Sequence, residues 1–297
     1  MSSPSPLTLD PQDQALLTAL QANPRARAIQ LGTVVGMSAP SVSARLRRLI
    51  DGGVLDVVGI VNERSLDRSH TVVALMRGVR SDFLPAWRDR PGLVFAAQAL
   101  GAWDGLACVI GRDPLDVEPH LESLRDMADA VEVHTVLDIQ VTGLNPQEAV
   151  RIRDEVDRDI ACLLSADARM SFTAIADALS IPESTARARA QRLLDGHVVT
   201  PVVLPNPTVF GLVGGAMGIE VSGPIADLPR ALREIPGVIT VLRLQGRFAA
   251  AVEIIAPHAD AIAGIRDSIS HVECVKSVEV MTYGTRVIGR WPLPDMA

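Results

Sequence analysis

The chain contains one sequence written twice. Shifted by 144 positions, the stretch from Asp13 to Asn62 lies on Asp157 to Asn206 without a gap. Identities fall at Leu20/Leu164, Arg25/Arg169, Arg45/Arg189, Arg48/Arg192, Leu49/Leu193, Asp51/Asp195, Gly52/Gly196, Val54/Val198 and Val58/Val202. Other swaps, such as Leu16/Ile160 and Met37/Ile181, keep the apolar pattern. At a shift of 145 the match resumes, with Pro91-Gly92 on Pro236-Gly237 and Gly101 on Gly246. Two alanine-rich helices paired by chance would not hold register over that length. The fold must therefore be two copies of one two-part module. The copies meet near Thr142–Asp154, where Gly143, Asn145 and Pro146 supply turn chemistry.

The first part of each module reads as three helices and an extended segment. Asp10-Pro11 suits a helix start, and Leu16, Leu17 and Leu20 mark a buried face up to about Ala22. A second helix is predicted over Ala28–Val35, with Ile29, Leu31, Val34 and Val35 apolar and Gly36 as its stop. Ser38 is placed to cap a third helix over Ala39–Asp51, on which Val42, Leu46, Leu49 and Ile50 form a core-facing stripe. Gly52-Gly53 ends it, and Val54–Val61 reads as a wing strand.

Two short helices, a glycine turn and a third helix with a polar outer face make a helix-turn-helix. A helix that meets duplex DNA wants short polar residues near base edges and arginines for guanine and phosphate. Ser41, Ser43, Ala44, Arg45, Arg47 and Arg48 supply that mix, with Ser43 and Arg45 on the flanks. The second copy offers Ser184, Thr185, Arg187, Ala188, Arg189, Gln191 and Arg192. A solvated helix face also collects arginines, so the twofold occurrence of the pattern carries the weight. Pro182 replaces the capping Ser38, so the second helix begins differently.

After Asp67 the pattern changes to strand, helix, two strands, helix, strand. Copy one gives Thr71–Val79, Phe83–Asp89, Leu93–Leu100, Leu106–Ile110, a helix with Leu115, Leu121, Leu124 and Met127, and Val131–Val141. Copy two gives Gly218–Val221, Ile225–Glu234, Val238–Leu244, Phe248–Ile255, a helix with Ile262, Ile265 and Ile269, and Val275–Thr282. This order is ferredoxin-like, and its open sheet face needs a cover, which the second copy supplies.

Composition narrows the function. The formal charge of −7 excludes a chain coated in basic residues, so a nucleic-acid site must be a local patch of modest non-specific affinity. Only one of the 28 basic residues, Lys276, is a lysine. Cys108, Cys162 and Cys274 are far apart and odd in number, which suits buried free thiols in a reducing cytosol rather than disulfides or zinc. The N-terminus has no signal-peptide pattern, and no apolar run is long enough to span a membrane. There is no P-loop, GxGxxG after a strand, HExxH or GxSxG. No catalytic residue, metal ligand or cofactor is expected, and the location expected is the cytoplasm.

The run LDPQDQALLTALQANPRA…SAPSVSARLRRLIDGGVL…VVGIVN resembles the DNA-binding head of the Lrp/AsnC (feast/famine) transcriptional regulators. DEVDRDIACLLSADARM…PESTARARAQRLLDGHVV…VLPNP is a weaker second match. The turn Gly101–Asp104 resembles one in that family's effector-binding and oligomerisation domain. Family members usually carry one module per chain, so this one resembles a tandem version. The resemblance implies an α+β chain of two winged helix-turn-helix domains, 1–62 and 143–206, alternating with two ferredoxin-like βαββαβ (RAM-type) sandwich domains, 63–142 and 207–297. It implies double-stranded DNA as partner and assembly into a dimer or tetramer of chains. The DNA-facing set is Ser38, Ser41, Ser43, Arg45, Arg47, Arg48, Ser184, Thr185, Arg187, Arg189 and Arg192. An amino-acid or other small-molecule effector would sit at Gly101, Asp104 and Gly246, although a plain hairpin turn explains Gly101 and Asp104 equally well. Ala249 stands where copy one has Asp104, so the second turn has lost its carboxylate.

A competing reading is enzymatic. Sirohaem decarboxylases of haem biosynthesis resemble the same fold and also occur as fused pairs. Such chemistry would want histidines and arginines around tetrapyrrole carboxylates. The six histidines show no paired spacing, and His134 and His271 are expected at strand or loop surfaces. The arginines kept on both third helices favour DNA.

Overall fold

A computed structural model of the chain describes residues 9–62, 65, 70–87, 90, 92–141 and 150–288. Residues 205, 207, 208 and 285–288 are described by their backbone alone. The expected domain boundary at 142/143 and the first part of the expected copy junction lie outside the described residues. The chain forms two compact units, Met1–Ser65 with Ala149–Phe210, and Leu66–Glu148 with Gly211–Ala297. Each half of the sequence thus contributes to both.

The first unit holds two three-helix heads. In one, α1 (Pro11–Ala22), α2 (Ala28–Val35) and α3 (Ala39–Asp51) precede β1 (Leu55–Val61). In the other, α6 (Glu155–Ala166), α7 (Phe172–Leu179) and α8 (Glu183–Asp195) precede β6 (Val199–Pro205). Helix α1 starts on a reciprocal cap: Asp13 N–H donates to Asp10 Oδ1 at 2.7 Å and Asp10 N–H to Asp13 Oδ2 at 3.3 Å. Ser38 accepts from the Ser41 N–H at 3.3 Å and caps α3, whereas Pro182 gives α8 no side-chain cap. Gly36 ends α2 in the left-handed region at φ 70°, and Ser180 takes the same conformation in the second head.

Leu16, Leu20, Leu31, Val42, Leu46, Leu49, Val54, Leu55 and Val57 form the core of the first head. Each such side chain contributes about 1.5–3 kcal/mol by leaving water. Ile50, expected on the buried stripe, is 36% exposed, and Ile29 and Val34 of α2 are exposed as well. Helix α2 is too short to bury more than one face, and Leu31 and Gly32 occupy it.

The extended segment after α3 is not a wing hairpin. It pairs antiparallel with its own copy, from Leu55 opposite Pro205 to Val61 opposite Val199. A lone strand would leave a row of unpaired N–H and C=O groups, and its copy satisfies them. Val58 faces Val202, its equivalent at the 144-residue shift, so a local twofold axis passes through that pair. The turns lock reciprocally: Arg25 donates to the carbonyls of Ala168 and Met170, and Arg169 to those of Pro24 and Ala26. Gly59 is required here, because a Cβ would lie 2.6 Å from the Leu164 carbonyl oxygen and 2.4 Å from Val199 Cγ1.

The second unit has the order β2 (His70–Arg77), α4 (Phe83–Trp87), β3 (Leu93–Gly101), β4 (Gly105–Gly111), α5 (Pro114–Arg125), β5 (Ala130–Val141). It repeats as β7 (Val213–Val221), α9 (Leu228–Arg233), β8 (Val238–Gln245), β9 (Ala250–Ala256), α10 (Ala259–Ser270), β10 (Val275–Ile288). The sheets do more than face each other as a sandwich. Their edges pair, β5 with β8 and β3 with β10, and close an eight-stranded barrel. Edge pairing removes the exposed strand edges that two separate sheets would keep. Helices α4 and α5 cover one outer face over Val72, Ala74, Met76 and Val109. Helices α9 and α10 cover the other over Met217, Val241, Val252 and Ile254. Val73, Leu75, Ala97, Leu106, Cys108, Leu244, Phe248 and Met281 fill the interior.

Strand β7 begins five residues before the expected Gly218. Gly214 and Gly215 lie before the expected start yet are strand residues, and at Gly215, as at the expected Gly218, a neighbour is too close for a side chain. A Cβ at Gly215 would lie 2.4 Å from the Met281 carbonyl oxygen, and one at Gly218 would lie 2.7 Å from the Phe248 ring.

Candidate functional site

The outer face of α3 stands on a buried ionic clamp. Asp13, on the core side of α1, has a fully buried side chain. Its Oδ1 accepts from Arg45 Nη1 at 2.8 Å and its Oδ2 from Arg48 Nη2 at 2.5 Å. Arg45 also donates to Asp10 at 2.6 Å and to Gln12 at 2.7 Å. The second head repeats the device. Arg189 reaches Asp154 at 2.6 Å and buried Asp157 at 3.1 Å, and Arg192 pairs with Asp157. The guanidinium of Arg45 holds Asp10 below the usual carboxylate range, and Arg189 does the same to Asp154.

Four of the six arginines assigned to DNA from the sequence therefore pair with carboxylates at the start of the first helix of their own head. They tie the third helix to the first and fix its angle. Arg48 keeps about half of its side chain in solvent, while Arg45, Arg189 and Arg192 are 23%, 32% and 20% exposed. Sequence reasoning missed Asp13 and Asp157. Their signal was present: a carboxylate at a core-facing helical position, repeated together with Arg45/Arg189 and Arg48/Arg192.

What remains outward on α3 is Ser41, Ser43, Ala44 and Arg47, all exposed, with Ser38 at the cap. No ion pair or hydrogen bond of the Arg47 side chain occurs among the described residues. On α8 the outward residues are Ser184, Arg187, Ala188 and Gln191, with Thr185 half-buried. Arg187 donates to Glu183 at 2.8 Å and lies 4.8 Å over the Phe172 ring. Gln191 donates to Asp195 at 2.8 Å.

In the barrel unit, Gly101, Asp104 and Gly246 belong to two equivalent hairpin turns. Gly101, at φ 128°, packs where a Cβ would meet the Val280 carbonyl oxygen at 2.5 Å, and Asp104 Oδ2 accepts the Gly78 N–H at 2.6 Å. Gly246 makes room for His134, which is fully buried and stacks on Phe248 at 5.2 Å. His134 thus lies inside rather than at the surface, because the glycine turn lets the ring in. Its Nε2 is 2.9 Å from Glu132 Oε1 but out of line for a hydrogen bond. Burial, with Arg247 beside it, pushes its pKa down. His271 is exposed at the end of α10.

Beside this turn Arg247 gathers three carboxylates, Glu279 at 2.7 Å and Glu132 and Glu220 at 2.9 Å, and stacks 4.0 Å over Phe248. Trp103 Nε1 donates to Glu279 at 3.0 Å. The cluster joins side chains of both copies, and its hydrogen bonds are made within the protein. Of the thiols, Cys108 is buried, and Cys162 and Cys274 are only partly so. Among the described residues no group of histidine, cysteine and carboxylate side chains could hold a metal ion. No described helix is long and apolar enough to cross a membrane.

Comparison with known proteins follows the head architecture. The AsnC-type helix-turn-helix domain matches residues 9–50 and again 154–194, which are the three helices of each head. An HTH-type transcriptional regulator of Mycobacterium tuberculosis, Rv2324, is 29% identical over 126 residues, which is 41% of this chain and 85% of that protein. An HTH-type transcriptional regulator of Pyrococcus abyssi is 46% identical over 59 residues, 20% of this chain and 37% of its own. Among solved structures, siroheme decarboxylase NirDL superposes with a TM-score of 0.62 over 93% of this chain and 91% of that one, at 12% identity. At that identity the likeness is one of fold.

Proposed function

We propose that this chain, a tandem member of the Lrp/AsnC family with an AsnC-type helix-turn-helix in each half, is a transcriptional regulator that binds double-stranded DNA in a sequence-specific way. The observation that carries the reading is the outer face of α3. Small polar residues and one arginine without an internal partner stand exposed on a helix that a buried clamp holds in place. Over the two segments of the head unit, 13 acidic residues balance 13 basic ones, so the barrel unit carries all seven net negative charges. Attraction to DNA is then local to the heads, and non-specific affinity is modest.

In this reading Arg47, with Ser41 and Ser43, meets base edges or phosphates. Arg48 reaches a phosphate with its exposed half while keeping Asp13. Arg45, Arg189 and Arg192 orient the helices. The four-domain division with boundaries at 62/63, 142/143 and 206/207 follows the sequence repeat, and two or more chains associate on an operator. An amino acid is the effector class, with its ammonium on the Asp104 oxygen that Gly78 does not use and its anchoring at the Gly101 and Gly246 turns. Thermal-shift screening of the common amino acids tests that part, and no stabilisation by any of them removes it.

The DNA reading is tested by gel-shift titration of the Arg47→Ala, Arg48→Ala double variant at several salt concentrations. The account expects weaker binding and a flatter salt dependence. Unchanged affinity refutes it. The full-length likeness to a siroheme decarboxylase supports a second reading, in which the barrel unit handles a tetrapyrrole. A visible-range titration with an iron tetrapyrrole separates the two, since only the enzyme reading expects stoichiometric binding.

A further inference from the structure

The two heads share a backbone plan but not an outer surface, and the differences are concerted. At the 144-residue shift, Ala28, Ile29, Ala39 and Ser43 of the first head become Phe172, Thr173, Glu183 and Arg187 of the second. These four replacements make one assembly. Arg187 donates to Glu183 Oε1 at 2.8 Å, Thr173 Oγ1 donates to Glu183 Oε2 at 3.1 Å, and the Phe172 ring lies 4.8 Å under the Arg187 guanidinium. Opposite Arg47 the second head has Gln191, whose amide is given to Asp195 at 2.8 Å. Arg187 is thus neutralised and held, and no free cation replaces it on α8 among the described residues.

Glu183 adds a repulsion as well as a pairing. It occupies the first turn of α8, the end that a helix-turn-helix aims at a groove. A carboxylate there suits the helix dipole and offsets the cap that Pro182 cannot supply. It also opposes a phosphate backbone. In the first head the same position is Ala39, and the cap is the neutral Ser38.

We infer that duplex DNA is read by the first head alone, and that the second is a non-reading partner whose Glu183 masks Arg187 and turns phosphate away. This rests on the DNA-binding reading and assigns it to one face. The second head still matters to the first. It supplies the strand that pairs with β1 and the Arg169 side chain that ties the turn at Pro24 and Ala26. Two reading helices on one operator then require two chains.

The test uses the full chain and a random-sequence duplex of forty or so base pairs, with affinity measured by fluorescence anisotropy against salt. The variants are Arg47→Ala, Arg47→Lys, Arg187→Ala and Glu183→Gln, all at exposed positions. Arg47→Ala is expected to weaken binding about tenfold and lower the slope of log affinity against log salt by about one, with Arg47→Lys restoring the slope. Arg187→Ala is expected to change neither by as much as twofold. Glu183→Gln, which frees Arg187, is expected to tighten binding and steepen the slope. Equal losses from Arg47→Ala and Arg187→Ala overturn the division of labour while leaving DNA binding intact. No effect of Glu183→Gln overturns the mask. A wild-type chain that binds no duplex at low salt overturns the DNA reading itself and this inference with it.

Discussion

Replacing Asp13 by asparagine keeps its size and removes the charge on which α3 is anchored. In the folded head its carboxylate accepts from Arg45 at 2.8 Å and Arg48 at 2.5 Å, and also from the Asp10 N–H at 3.3 Å. A hydrogen bond to a charged group contributes about 1.5–3 kcal/mol. The two arginines are 23% and 48% exposed, so they recover hydration when the charge goes. The expected loss is therefore about 2–4 kcal/mol rather than the full sum. The reverse perturbation is expected to be worse. Arg45→Ala with Arg48→Ala leaves a fully buried carboxylate unpaired, which costs about 3–5 kcal/mol. Urea unfolding followed by circular dichroism at the helix band is weighted to the heads, whose six helices hold most of the described helical residues. Tryptophan fluorescence reads the other unit, to which the described tryptophans, Trp87 and Trp103, belong. The dichroism midpoint should fall in the order wild type, Asp13→Asn, double arginine variant. Equal midpoints for wild type and Asp13→Asn, or a double variant milder than the single one, would refute the clamp.

The other expectations follow from the same contacts. Gly59→Ala places a methyl 2.6 Å from the Leu164 carbonyl oxygen in the strand pair at the twofold axis, and should lower head stability by about 1–3 kcal/mol in the same unfolding assay. Gly246→Ala puts a methyl 2.3 Å from His134 Nδ1 and should lower the fluorescence midpoint of the barrel unit instead. Arg247→Ala leaves three carboxylates facing one another beside Trp103, so it should shift the tryptophan emission and lower that midpoint, most clearly at neutral pH. Asp10 and Asp154 are held below the ordinary value of 3.8 by Arg45 and Arg189. Such groups stabilise the fold above the unfolded value and stop doing so as pH falls through the folded one. Head stability should hold at neutrality and decline below about pH 4.

Local structure was legible where side-chain pattern and backbone chemistry agreed. The bounds of α2 and α3 follow from their caps: Gly36 can adopt the left-handed conformation that ends α2, and the Ser38 hydroxyl can accept from the start of α3. The repeat gave the twofold relation of the heads, and the Val58–Val202 pair is its geometric expression. What was not legible lies between copies. A strand sequence does not name its partner, so β1 read as a wing although it pairs with β6, and the barrel closure through β5–β8 and β3–β10 read as a sandwich. The start of β7 was read too late, with Gly214 and Gly215 left outside it, although close approach of the Met281 backbone needs a glycine at 215 within the strand. His134 misled as well, since its burial depends on Gly246, more than a hundred positions away.

Arginines were the least legible of all. A guanidinium looks the same in sequence whether it meets DNA or a carboxylate, and only the fold brings Asp13 within reach of Arg45 and Arg48. The sequence named Arg47 alongside them with no means of ranking the three. Their partners do rank them: Arg45 and Arg48 hold the head together, and Arg47 is left outward.

Genomic footprinting of the full-length chain tests the central claim most directly. The account predicts discrete protected duplex sites whose protection fades with salt and is lost with Arg47→Ala. A chain that protects no site, and instead takes up one equivalent of a tetrapyrrole, would contradict it.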